Sequence, residues 1–82
     1  MGPEDNFSHE DIIRAEYFTE NNRIDVTLRI KQLLKDNQVI FANNLIAGDP
    51  EFGAKKKFEI EYFFERKVHL KEFKEGDKVR IP

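Results

Sequence analysis

Apolar and polar residues alternate along most of this chain, and the stretches that break the alternation are as informative as those that keep it. Asp11 to Phe18 reads as a first strand, with Ile13, Ala15 and Tyr17 on one face and Ile12, Arg14, Glu16 and Phe18 on the other. Thr19-Glu20-Asn21-Asn22 is a polar turn, and Ile24-Asp25-Val26 resumes an extended pattern. From Thr27 to Lys35 both periods are present. Ile24, Val26, Leu28 and Ile30 alternate, while Val26, Ile30, Leu33 and Leu34 fall on one helical face. The residue types in this stretch are good helix formers, so the expectation is a short helix ending at Asp36-Asn37.

Beyond the helix, Gln38 to Ala42 predicts a second buried strand through Val39, Ile40 and Phe41. Asn43 to Ala54 is a long irregular segment. Lys56 to Glu65 is the clearest strand, with Phe58, Ile60, Tyr62 and Phe64 on its apolar face. Glu65-Arg66-Lys67 is the expected hairpin turn, although it lacks the usual Gly or Asn. Val68 to Phe73 returns as the partner strand, Glu75-Gly76-Asp77 turns again, and Val79-Arg80-Ile81 is expected as a last short strand. The fold class is therefore mostly β with one short α-helix, as a small antiparallel β-sandwich or open barrel of about five strands. Residues 1–10 are expected as a disordered lead-in and residues 11–82 as a single β-rich domain.

Composition narrows the function more than it names it. A chain of 82 residues supports one thin core and buries roughly 60–65% of the surface it would expose unfolded. A deep substrate pocket would compete for the same apolar side chains. Charged residues make up 37% with a net charge of −2, and the two signs interleave, so no charged partner class is implied. Lys55-Lys56-Lys57 beside Phe58, Tyr62 and Phe63 raises the question of nucleic acid, but Phe58 and Tyr62 fall on the core face, and none is expected. There is no cysteine, hence no disulfide, thiolate nucleophile or thiolate zinc site. That absence points towards an intracellular setting. No segment reads as a signal peptide or a membrane span, so a soluble domain is expected.

The candidate chemistry is thin. The serine, Ser8, lies in the lead-in. His9 lies there too, and His69 sits on the charged side of its predicted strand, so both read as surface imidazoles. No phosphate-cradling glycine pattern occurs, and Asn43, Asn44, Asp49 and Glu51 do not have the spacing of a calcium loop. No catalytic residue, metal or cofactor is expected, and the chain is read as no enzyme. Phe18 and Phe63 fall on the more polar faces of their strands, where they would either be covered by a second layer or form an apolar patch.

The loop Gly48-Asp49-Pro50-Glu51-Phe52-Gly53 is a further marker, because Pro50 restricts Asp49 and both glycines permit positive φ. Taken with Ile24-Asp25-Val26-Thr27, the helix ending in Lys35-Asp36, Lys56 with the strand Phe58-x-Ile60-x-Tyr62, Glu75-Gly76 and terminal Val79-Arg80-Ile81-Pro82, it gives a recognisable order. From Ile12 to Pro82 the chain resembles an uncharacterised domain found at the carboxy terminus of a mitochondrial J-domain co-chaperone and in related eukaryotic and bacterial proteins. It departs from that pattern at Phe18, and at Glu65 and Arg66, where the family often has glycine. The resemblance implies an accessory or protein-interaction domain and brings no catalytic residues. The chain holds no His-Pro-Asp tripeptide, so no chaperone-stimulating activity follows. The expected function is a non-catalytic protein-interaction or accessory module with a protein partner, the oligomeric state being left open. The alternative is a carbohydrate- or small-ligand-binding module. The selected binding residues are Phe18 and Phe63 on the strands and Asn43, Asn44, Asp49 and Phe52 in the loop. A flat patch at Phe63 or Phe18 would suit a protein; a groove of aromatic and Asn side chains would suit a sugar.

Overall fold

The strand pattern closes into a single antiparallel sheet. In the computed structural model, which describes residues 7–43, 46 and 53–82, the strands are β1 (Ile12–Phe18), β2 (Arg23–Asp25), β3 (Lys57–Phe64) and β4 (Lys67–Lys74), in the spatial order β2-β1-β3-β4. One helix, α1 (Thr27–Lys35), follows β2 and lies against β1. Its Val26–Ile30–Leu33–Leu34 stripe packs into the core, as the helical period predicted, and Leu28 is left in solvent. The helix ends in a Schellman motif: the Gln38 N–H donates to the Leu33 carbonyl (2.9 Å) and the Asn37 N–H to the Leu34 carbonyl (3.1 Å). Asn37 supplies the left-handed residue, at φ 58°, that glycine usually provides.

The expected five strands in a sandwich or barrel are four, in one open sheet with the helix, among the described residues. The difference lies in two short segments. Residues 38–42 and 79–81 do not enter the sheet; instead residues 40–42 pair with residues 76–79. The Ala42 N–H donates to the Asp77 carbonyl (2.9 Å), the Gly76 N–H to the Ala42 carbonyl (2.7 Å) and the Val79 N–H to the Ile40 carbonyl (2.8 Å). The ribbon is too short to count as strands beyond the single bridge Phe41–Lys78. It still buries Ile40, Ala42 and Val79, while Val39 and Phe41, expected inside, are exposed. Asn43 to Ala54 was read as irregular, and most of it lies outside the described residues.

β1 differs from its predicted faces at its first residues. A β-bulge lies between Ile12 and Arg14. It turns Ile12 to the core beside Ala15 and Tyr17 and pushes Ile13 into solvent, the reverse of a regular alternation. Past the end of β2, α1 takes up the pairing of β1. The Val26 N–H donates to the Ala15 carbonyl (2.9 Å), and the Ala15 N–H donates to Thr27 Oγ1 (2.9 Å). Helix and sheet are thereby joined at one residue.

Among the described residues, packing already includes Phe7 and the turn after it, within the segment expected as a lead-in. Phe7 sets its ring edge-on against Tyr62 (5.5 Å) and Phe64 (5.9 Å). Ser8 and Asp11 form a reciprocal capping box around the 3₁₀ turn His9–Asp11. The apolar phase of β3 explains the segment: it sets Tyr62 and Phe64 on the core face, where Phe7 packs against them. Tyr17, Ile30, Phe58, Ile60 and Tyr62 form the fully buried centre. Each contributes about 1.5–3 kcal/mol of burial free energy.

Two tests follow from local geometry. The β3–β4 turn places Glu65 at φ 52° and Arg66 at φ 66°, a conformation that side chains resist. Replacing them together (Glu65→Asn, Arg66→Gly) should stabilise the domain by about 1 kcal/mol, read as a melting temperature roughly 4–8 °C higher. Asp25 accepts from the Thr27 N–H (2.8 Å), and hydrogen bonds from the Thr27 hydroxyl and N–H hold its carboxyl below the ordinary value. Its contribution is therefore present above the unfolded carboxyl pKa of about 3.9 and lost as pH falls through the lower folded value. Asp25→Ala should lower the urea midpoint at pH 7, and the gap to the parent should narrow below about pH 4.

Candidate interaction face

Among the described residues the core cluster covers one face of the sheet, and the other face is built from strand residues that point away from it. The pairing register assigns them. Ala15 opposite Ile60, Tyr17 opposite Phe58, and Tyr17 opposite Ile24 face inward. Outward face Arg14 opposite Glu61, Glu16 opposite Glu59, and Phe18 opposite Lys57. Across β3 and β4 the outward rows are Glu59–Glu72, Glu61–Leu70 and Phe63–Val68.

This outer face is divided along its length. Its middle is an ion-pair network centred on Arg14, which reaches Glu16 (2.7 Å), Glu59 (2.9 Å) and Glu61 (3.5 Å), while Arg23 closes on Glu16 (2.6 Å). The hydrogen bond that Arg14 donates to Glu59 is the largest of the effects that raise the Arg14 pKa, and the charges of Glu16, Glu59 and Glu61 add to it against partial desolvation. Arg14 is thus a fixed cation, and the three glutamates spend their charge on arginines. At the β1–β2 end, Phe18 carries the Arg23 guanidinium over its ring at 4.4 Å, beside Lys57. At the hairpin end lie Phe63, Val68 and Leu70, exposed at 45%, 57% and 59%, with the bulge residue Ile13 at the same end.

The selected residues therefore do not form one site. Phe18 and Phe63 share the outer face but stand roughly 20 Å apart along β3, and Phe18 is occupied by Arg23. Asn43 lies elsewhere, beside Ile46, Val39 and Phe41 in a groove next to α1. Asn44, Asp49 and Phe52 lie outside the described residues. Among the described residues, Phe63 is the one selected residue found in an exposed apolar patch.

Val68 and Leu70 were missed, and His69 was misplaced, for a single reason. The two-residue turn pairs Phe64 with Lys67, which makes His69 the partner of Tyr62. His69 is no surface imidazole on a charged side. Its ring stacks on Tyr62 (5.2 Å, 15°), with Nε2 3.1 Å from the Phe64 carbonyl. Val68 and Leu70 take the outward rows instead. Counting back from the turn, with Phe58 to Phe64 inward, would have found them.

No three His, Asp or Glu side chains converge on a common point among the described residues, and no buried side-chain nitrogen or oxygen there lacks a partner. No helix of the described residues is long and apolar enough to cross a membrane.

Residues 4–82 match the family described as DnaJ-like protein C11, C-terminal. That match spans nearly the whole chain, and the chain belongs to this family, the carboxy-terminal domain of a J-domain protein. No curated protein matches it, and no solved structure does.

The outer patch and the core differ in what a substitution should do. Phe58→Ala should cost about 3–5 kcal/mol by urea denaturation. Leu70→Ser should stay within about 0.5 kcal/mol of the parent, since it removes no packed contact.

Proposed function

We propose that this domain is a non-catalytic protein-interaction or accessory module that contacts its partner through the hairpin end of the outer sheet face. One observation carries the reading: Phe63, Val68 and Leu70 are large apolar side chains held outward by a paired register and left largely exposed. Leaving such residues in water gains the monomer no stability. A protein surface is the partner that a flat, open apolar patch suits, whereas a sugar needs a groove with hydrogen-bonding side chains. Membership in a family named for the end of a larger J-domain protein fits an accessory role. The ion pairs beside the patch supply a polar rim.

The test places a photo-cross-linking residue at position 70 and, as a control, at position 28 on the exposed side of α1, in cells that express the protein. Discrete polypeptide adducts from position 70, lost on Phe63→Ala with Val68→Ser, are the expected result. Strong signals on a glycan array with no adduct at position 70 would sink the reading in favour of a carbohydrate-binding module.

A further inference from the structure

The same hairpin has a second open feature, its lateral edge. β4 pairs with β3 on one side and with no other strand among the described residues. The two-residue turn sets which backbone groups face which way. Lys67 pairs with Phe64 across the turn, and the Glu75 N–H donates to the Lys56 carbonyl (3.2 Å), so the odd-numbered residues of β4 bond to β3. The N–H and C=O groups of Val68, Leu70, Glu72 and Lys74 therefore point to the free edge. The Lys74 N–H is taken by Asp77 Oδ2 (3.0 Å), which closes that end. No backbone bond from another described segment reaches Val68, Leu70 or Glu72.

The side chains along this edge discriminate between occupants. Glu72 is paired with Lys57 (3.4 Å), and Lys71 donates to the Arg80 carbonyl (3.2 Å). Lys67, Lys71 and Lys74 leave the strand with a net positive charge. A second copy docked edge to edge would gather Lys67 and Lys71 of both strands into one stripe on the core-side face, which opposes pairing. An extended segment of alternating acidic and apolar residues meets both faces at once. Its apolar side chains continue the Val68–Leu70 row on the outer face, and its carboxylates lie beside Lys67 and Lys71 on the other.

Resting on the interaction reading above, we propose that β4 is a strand-accepting edge and that its occupant is an acidic–apolar extended segment of a protein partner, added beside β4 as a fifth strand. The backbone groups of Val68, Leu70 and Glu72 supply the hydrogen bonds, and the lysines select against basic segments.

The experiment uses two capped heptapeptides, one alternating Glu and Val and one alternating Lys and Val, with amide hydrogen exchange of the whole chain followed by NMR. The Glu-Val peptide should slow exchange of the Val68, Leu70 and Glu72 amides at least tenfold and leave His69 and Lys71 unchanged. The Lys-Val peptide should bind at least tenfold more weakly. Leu70→Pro removes an N–H that bonds nothing within the sheet and should abolish the protection. Should that variant fail to fold, Lys67→Glu with Lys71→Glu should reverse the preference between the peptides. The proposal is overturned by equal affinity for both peptides, by protection that needs no peptide and grows with protein concentration, or by no protection at the edge amides. Adducts from position 70 without edge protection reject strand addition alone. The absence of both rejects the interaction reading with it.

Discussion

The two-residue turn at Glu65-Arg66 sets the register on which the surface depends. By pairing Phe64 with Lys67 it decides which face every residue of β4 takes. A slip of one residue would carry Val68 and Leu70 to the core side and send His69 and Phe73 into solvent. The observed register instead stacks His69 on Tyr62, tilts Phe73 beside Phe58 (6.1 Å), and leaves Val68 and Leu70 outside. The turn holds this register with two side-chain-bearing residues in left-handed backbone. Tyr62 and Phe58 lie fully buried between β4 and β1, so the strain at the turn is opposed by packing on both sides of β3.

A second constraint acts at the opposite edge. β2 has three residues, and after it the backbone of Ala15 is bonded by Val26 and Thr27 at the start of α1. The helix is thus positioned by hydrogen bonds before its apolar stripe is counted, and Ile30 is delivered onto the sheet. The bulge in β1 serves the same core by turning Ile12 inward, at the cost of exposing Ile13. This local irregularity accounts for the exposure of Ile13, which composition alone would assign to the interior.

Much of this was legible from residue order. The helix from Thr27 to Lys35 follows from its i, i+4, i+7 stripe, and the inward faces of β3 follow from strict alternation at Phe58, Ile60, Tyr62 and Phe64. The missed elements share a cause: they depend on long-range pairing rather than local period. The strand-like segments at 38–42 and 79–81 fall outside the sheet because residues 40–42 pair with residues 76–79 instead. Ile12 and Ile13 exchange faces because of an extra residue, which no alternation count includes. Of the candidate site, Phe63 was found because it broke the alternation of β3. Val68 and Leu70 were hidden because they alternate with polar residues, a pattern that reads as buried until the turn register is applied.

The brevity of β2 has a consequence for assembly. An antiparallel sheet grows without limit only if it can accept a strand at one edge and present an equivalent edge at the other. Here the edges are unequal: eight residues on β4 and three on β2, the latter followed at once by a helix. Among the described residues the two edges are therefore not interchangeable, and a ladder that relayed from copy to copy would need the short β2 edge to match the long β4 edge.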